Sequence, residues 1–261
     1  MEIDLYQVSH LARSIVKEAG DQLNLEWKVA KETVAKDPRD LATKYDLMVE
    51  KQITAALTKL FPNHSIYGEE VTKTKQHSPY AWYIDPIDGT KYFASDIPLF
   101  SVSLGLTDKD KPILGVVYNP ISNQMYSGYQ TGKAYLNNSQ IKVADQRPLK
   151  ETIVYGDFSK FELLSGEKQR KINQNYFEVM SRVYRVRAFG CGSLGLCWIA
   201  SGGFDAFIDF TGKTKIYDVC AGLAILEAAG GVYEHIAANG EKKLIAATNR
   251  TTLAAIKKLI I

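Results

Sequence analysis

Two aspartates three residues apart stand in the stretch Trp82-Tyr83-Ile84-Asp85-Pro86-Ile87-Asp88-Gly89-Thr90. Ahead of Asp85, the apolar run from Tyr80 to Ile84 reads as a buried strand. Behind Asp88, Gly89 and Thr90 lead into Lys91-Tyr92-Phe93-Ala94, which can open a helix. Such a strand delivers two negative charges to its carboxyl end, beside a turn with outward N–H groups. Hard divalent cations take clustered carboxylate and carbonyl oxygens, and phosphate takes free N–H groups at a helix start. The same residues also suit a plain strand-to-turn corner that uses Asp, Pro and Gly only for turn geometry. Two further acidic motifs fall at expected strand ends or helix starts: Gly68-Glu69-Glu70, and Tyr217-Asp218-Val219-Cys220-Ala221-Gly222. Their spacing along the chain does not by itself bring them together.

The elements that must position these groups follow from periodicity. Residues 2–19 place Leu5, Val8, Ala12, Ile15, Val16 and Ala19 on one helical face, with an interruption expected near Gly20. Asp37-Pro38-Arg39-Asp40 reads as a turn, and Thr43 as the cap of a helix carrying Ile53, Leu57 and Leu60. A short strand at 64–67 leads into Gly68, and the polar, basic segment 71–79 reads as a mobile loop. Phe100, Val102, Leu104 and Leu106 alternate with small polar residues, as in a half-buried strand. Further strands at 113–118, 124–129 and 133–136 predict an antiparallel sheet over 100–145. The second half mixes strands at 152–156, 183–188, 204–209, 231–234 and 244–247 with helices at 168–181, 193–201, from Asp218, and 250–260. The expectation is an α+β fold of sheets layered with helices, with no clear linker.

Bulk properties narrow the function classes. The 261 residues are 46% hydrophobic and 23% charged, an ordinary balance for a globular protein. A net charge of +3, with scattered basic residues, argues against a nucleic-acid-binding module. Cys191, Cys197 and Cys220 form no CxxC pair and suit a reducing compartment. The acidic amino terminus lacks an apolar signal core, and no run reaches the ~18 apolar residues of a membrane span. A cytoplasmic protein is expected. The four histidines are scattered and read as structural or surface groups.

Taken in order, the motifs resemble those of the inositol monophosphatase family of magnesium-dependent, lithium-sensitive phosphatases. The resemblance runs nearly end to end. It covers Asp40-Leu-Ala-Thr43-Lys-Tyr-Asp46, Gly68-Glu69-Glu70, the nonapeptide, Gly132-Lys-Ala134-Tyr-Leu-Asn137 and Gly192-Ser193. It continues through Gly202-Gly203-Phe204-Asp205-Ala206, Asp218-Val219-Cys-Ala221-Gly222 and Glu227-Ala228-Ala-Gly230-Gly231. It implies a layered αβαβα sandwich of the kind shared with fructose-1,6-bisphosphatase, formed as one domain over 1–261. Within it, a half at about 1–145 would carry most metal ligands, and a half at about 146–261 Asp218 and the substrate side.

The resemblance further implies up to three Mg²⁺ ions held by Glu69, Asp85, Asp88 and Asp218, with the Ile87 carbonyl as another ligand. Glu69 and Thr90 would orient a metal-activated water, and Asp46 would hold the Thr90 hydroxyl. Asp88, Gly89, Thr90, Ser193, Asp209 and Asp218 would contact substrate. The partner implied is a small phosphorylated metabolite, inositol monophosphate first, and the family usually dimerises. On local chemistry alone, Asp46 also reads as a first-turn helix acid and Asp218 as an N-cap. Ser193 lacks the His and acid partners of a nucleophile.

The chain departs from the family pattern at two places. Tyr217 stands where many members have Trp. In Asp209-Phe-Thr-Gly-Lys-Thr-Lys215-Ile-Tyr217 the shorter Asp209 is the nearest equivalent of a substrate-binding glutamate, and Lys213 and Lys215 are added. Two ammonium groups favour a more anionic ligand, with Arg185 and Arg187 as further candidates. NADP, 3′-phosphoadenosine 5′-phosphate or a sugar bisphosphate is therefore the second expectation. A regulatory, protein-binding role in transcription is the alternative from a different class.

Overall fold

Alternation along the strands sets the architecture. Each sheet has two apolar faces, so each must be covered on both sides. The computed structural model describes residues 3–27, 33–37, 40–238 and 240–261. The first half contains α1 (Leu5–Glu26), β1 (Thr33–Asp37), β2 (Asp40–Thr43), α2 (Lys44–Leu60), β3 (Ser65–Gly68), β4 (Lys73–Thr74), β5 (Tyr80–Asp88) and α3 (Thr90–Ala94). It continues with β6 (Ser101–Asp108), β7 (Lys111–Asn119), β8 (Gln124–Tyr129), β9 (Ala134–Leu136) and β10 (Ser139–Ile141). The second half contains β11 (Ile153–Asp157), α4 (Gly166–Arg182), β12 (Arg185–Arg187), α5 (Gly192–Ala200), β13 (Ala206–Asp209), α6 (Ile216–Ala228), β14 (Val232–Ala238), β15 (Glu241–Ala247) and α7 (Arg250–Lys257).

Strands β3 to β10 form one eight-stranded sheet in the order β10-β9-β8-β7-β6-β5-β3-β4, antiparallel except where β3 runs parallel to β5. A five-stranded sheet, β12-β11-β13-β15-β14, holds the second half. Helices α1 and α2 cover one face of the large sheet through Val8, Ala12, Val16, Val49 and Ile53. Between the sheets lie α5 and α6. There Leu196, Ile199, Leu223 and Ile225 meet Val117 and Tyr126 on one side and Tyr155, Phe207, Leu244 and Ala246 on the other. The alternate residues Val154, Ile208, Ile245 and Ala247 face outward against Ile172 and Val179 of α4 and Leu253 and Ile256 of α7. The result is the expected layering α, β, α, β, α.

Several expectations need correction. Helix α1 does not stop at Gly20 but runs to Glu26. The absent side chain makes room for Tyr118, whose ring carbon lies 2.5 Å from where a Cβ would sit. The segment 71–79 is more ordered than a loop, because β4 pairs antiparallel with β3. A β1–β2 hairpin precedes α2. Pro38 and Arg39 of the expected turn, and the Thr43 side chain expected to cap α2, lie outside what is described. The last helix is shorter than 250–260, ending at Lys257.

A row of glycines seats α6. Gly105, Gly115 and Gly128 are cross-strand neighbours on β6, β7 and β8. A Cβ at Gly105 would sit 2.5 Å from the Cys220 sulfur, one at Gly115 2.0 Å from the Ala221 carbonyl oxygen, and one at Gly128 3.0 Å from the Ile225 Cα. The sheet thus presents a trough only as wide as a helix backbone. Because α6 carries Asp218 in its first turn, the trough also positions an acidic site residue. Gly115→Ala is expected to cost about 3 kcal/mol, the upper end of the usual overpacking range, since a carbonyl cannot swing aside as a flexible side chain does. Urea denaturation checks this; an unchanged midpoint would show that α6 is not held by the trough.

Candidate active site

Three carboxylates converge from three elements. Glu69 follows β3, Asp85 lies near the end of β5, and Asp218 is the third residue of α6. One oxygen from each lies within 4.8 Å of the other two. Local chemistry fixes each one. Buried Glu50 of α2 accepts hydrogen bonds from the N–H groups of Glu70, Val71 and Thr72 at 2.7, 2.9 and 2.7 Å. That bracket sets the turn presenting Glu69, and Glu50 escapes sequence reading because it looks like any helix-surface acid. Asp218 accepts the Lys215 N–H at 2.8 Å, half of a capping box, so it orients itself by the helix start it stabilises. It is thus an N3 residue, not an N-cap.

Asp88 stands slightly apart, outside the group within 4.8 Å. Its Oδ2 accepts from the Ser193 N–H at 2.9 Å and from the Ser193 hydroxyl. Ser193 is fully buried, so it grips Asp88 from the start of α5. That start is itself pinned by Tyr155, whose hydroxyl donates to the Cys191 carbonyl and accepts from the Cys191 N–H at 2.9 and 2.8 Å. Gly89 takes φ +95°, a left-handed conformation that only glycine adopts cheaply, and so turns β5 into α3. The Thr90 hydroxyl lies 2.9 Å from the Ile87 carbonyl oxygen and 3.4 Å from Asp46 Oδ1. One hydroxyl proton serves the nearer acceptor, and Asp46 stands ready behind it.

These carboxyls are electrostatically loaded. Burial pushes Asp85 well above the usual carboxylate range, with Glu69, Asp88 and Asp218 adding repulsion. Burial and Glu69 raise Asp218 likewise, against the opposing Lys215 N–H bond. Burial raises Asp88 to about 7 despite its two bonds from Ser193. Asp85 Oδ1 is buried with no hydrogen-bond partner. A buried acceptor without a donor, among repelling carboxylates, is what a hard cation of charge two would satisfy. The donor set is all oxygen, and it fits such an ion.

The site opens into a cavity of about 520 Å³. Its lining includes Glu69, Asp85, Asp88 and Thr90 together with Asp157, Lys160, Lys213 and Lys215. Four expected substrate contacts do not line the cavity: Ser193, fully buried against Asp88, and Asp209, Arg185 and Arg187. Asp209 is 2% exposed and spends its carboxylate on its own loop: Oδ1 accepts from Thr211 N, Gly212 N and the Thr211 hydroxyl at 3.0, 2.7 and 3.1 Å, and Oδ2 accepts from Thr214 N at 3.4 Å. It shapes the loop that presents Lys213 and Lys215. Arg185 and Arg187 do not line the cavity; Arg185 stacks on Tyr184, 4.4 Å from the ring centre. The three cysteines are buried thiols. Among the described residues no helix is long and apolar enough to cross a membrane.

A sequence profile of the inositol monophosphatase family matches residues 4–260. A protein of Aquifex aeolicus described as fructose-1,6-bisphosphatase/inositol-1-monophosphatase is 38% identical over 209 residues, 79% of this chain and 76% of its own. The Nus factor SuhB of Pasteurella multocida is 31% identical over 206 residues, 77% of this chain and 74% of its own. The solved structure of the extragenic suppressor protein suhB from Bartonella henselae shares the fold. It has a TM-score of 0.87 at 24% identity and covers 97% of this chain and 98% of its own.

The raised carboxyls predict how stability depends on pH. A raised acid holds protons in the folded state that the unfolded chain has released, so folding loses stability as pH rises from the ordinary value near 3.8 to about 7. In chelator, the melting temperature is expected to fall over that window, by about 2–4 °C per kcal/mol. Mg²⁺ should restore it, more at pH 7.5 than at pH 5. Asp85→Asn should raise the melting temperature in chelator at pH 7.5 and shrink the Mg²⁺ response. Thermal unfolding at both pH values checks this, and a stability that rises with pH in chelator would contradict it.

Proposed function

The chain belongs to the inositol monophosphatase family, whose members are metal-dependent phosphomonoester hydrolases, and we propose that it hydrolyses a small phosphomonoester of the inositol monophosphate type. The observation that carries this reading is the meeting of Glu69, Asp85 and Asp218 oxygens within 4.8 Å in the wall of the cavity. Glu69, Asp85, Asp218, Asp88 and the Ile87 carbonyl are the groups that would hold the metal. When bound, a divalent ion supplies charge neutralisation for the carboxylates, a more acidic water, and stabilisation of the charge on the leaving oxygen.

The chain's own residues do the rest. The first turn of a helix leaves its N–H groups without intrahelical partners, so Gly89 and Thr90 can hold phosphate oxygens. Glu69 and the Thr90 hydroxyl orient the attacking water, and Asp46 would accept the Thr90 hydroxyl's hydrogen bond when it turns from the Ile87 carbonyl. In-line attack then needs positioning more than covalent chemistry from the protein. Ser193 acts through Asp88, keeping one of its oxygens turned away from the phosphate. The finer parts of the reading are Mg²⁺ as the ion, up to three per site, a single domain, a homodimer and a cytoplasmic location. They rest on the family resemblance.

A sugar bisphosphate is the second reading, favoured by one observation. Lys160 and Lys215 line the cavity beside Lys213, whose ammonium is paired with Glu241 at 3.0 Å, and a second phosphate would meet the charges of Lys160 and Lys215 there. The Aquifex relative is named for both activities.

Phosphate release from inositol 1-phosphate, fructose 1,6-bisphosphate, NADP and 3′-phosphoadenosine 5′-phosphate tests the function. Release is expected with Mg²⁺ and not with chelator. Ser193→Ala is expected to lower it about 10–100-fold, the usual effect of freeing a ligand's orienting partner. Folded protein that releases phosphate from none of the four would overturn the reading.

A further inference from the structure

We infer that Asp157, and not Asp209, is the carboxylate that accepts a hydroxyl group from the alcohol portion of the substrate, a cyclic polyol or sugar. The inference rests on the phosphomonoesterase reading and names what that reading leaves open, the group that recognises the alcohol.

Asp157 and Asp209 are direct neighbours in the parallel pair of β11 and β13. Both end their strands at the same edge of the small sheet, so either could face a ligand by topology alone. Their surroundings separate them. Asp209 accepts from four groups of the loop that follows it, and it does not line the cavity. Removing it from those partners would leave three backbone N–H groups unpaired.

Asp157 lines the cavity and is 4% exposed. Its Oδ1 accepts from Ser159 N at 3.0 Å and from the Thr214 hydroxyl at 3.2 Å. Those two bonds fix the carboxylate plane. Among the described residues, no hydrogen bond ends on Oδ2. The Ser159 hydroxyl lies beside the carboxylate as a further donor, and Oδ2 is the oxygen left open to a ligand. Asp157, like Asp88, is outside the carboxylate group that comes within 4.8 Å, and its charge raises Asp88 and Asp218 from across the site. It stands on the cavity wall with Lys213, whose ammonium is paired with Glu241 at 3.0 Å, and with Lys215. Phosphate is repelled by a carboxylate oxygen; a hydroxyl donates to it. The combination sorts a polyol phosphate into one orientation, with phosphate at Gly89 and Thr90 and hydroxyls toward Asp157. Burial raises the Asp157 carboxyl, with Asp209 alongside adding to the rise and Ser159 and Thr214 opposing it. A hydroxyl donor at Oδ2 would favour the ionised form further.

Two measurements test this. On the unaltered protein, kcat/KM for myo-inositol 1-phosphate is compared with that for cyclohexyl phosphate, which keeps the ring and removes the other hydroxyls. A preference of about ten-fold or more for the polyol is expected from a hydrogen bond to a charged group; a ratio near one overturns the inference. Asp157→Asn then keeps a carbonyl oxygen for Ser159 and Thr214 but turns an NH₂ toward the cavity. The preference is expected to collapse about ten-fold, chiefly through KM for the polyol. Asp209→Asn should lower both substrates in parallel by loosening the loop. A preference that survives Asp157→Asn, or that is lost with Asp209→Asn instead, overturns the assignment. Hydrolysis of neither phosphate by the unaltered protein overturns the inference; if fructose 1,6-bisphosphate, NADP and 3′-phosphoadenosine 5′-phosphate are not hydrolysed either, the phosphomonoesterase reading falls with it.

Discussion

Like charges held close in a poorly solvated place dominate this molecule. Glu69, Asp85 and Asp218 cannot all be ionised beside one another without a compensating cation, yet the fold drives them together. Asp85 even buries an oxygen with no donor. Such an arrangement costs stability and persists only if surrounding contacts overdetermine it. The structure supplies those contacts separately for each carboxylate, from parts of the chain far apart in sequence.

The contacts are of different physical kinds. Glu69 is held by hydrogen bonds, because the buried Glu50 carboxylate brackets three N–H groups of its turn. Asp85 is held by the sheet, in the antiparallel register of β5 with β6. Asp218 is held by packing, because α6 lies in a trough of glycines where a side chain at Gly115 would have to move the Ala221 carbonyl. Asp88 is held by α5 through Ser193, and α5 by the Tyr155 hydroxyl at Cys191. The central α5–α6 layer therefore does two things at once. It joins the two sheets through their inner faces, and it brings half of the acidic site to the other half.

Much of this was legible in the sequence. The apolar run before Asp85, the alternation at 100–107 and the helical face of residues 5–19 each follow from burial on one or two sides. What escaped has identifiable reasons. Strand β4 is two residues long and exists only through its pairing with β3. Helix α1 runs through Gly20, whose intrinsic cost is offset by the Tyr118 ring packed against it. Gly105, Gly115 and Gly128 read as weak strand positions one at a time, and only the sheet register reveals that they adjoin. Glu50 has the pattern of a solvated helix acid and is fully buried. Asp157 and Asp209 show the same difficulty most sharply. Both are aspartates at the ends of apolar runs, and only the hydrogen bonds of the 210–215 loop tell which is free to meet a ligand.

The central claim is that the three converging carboxylates are built around a divalent cation. Diffraction from crystals soaked in Mn²⁺, with anomalous difference maps, tests it most directly. An anomalous peak bonded to oxygens of Glu69, Asp85 and Asp218, lost in Asp218→Asn crystals, is the predicted result. Crystals saturated with Mn²⁺ that show no peak among these three carboxylates, or carry their ion elsewhere, would contradict it.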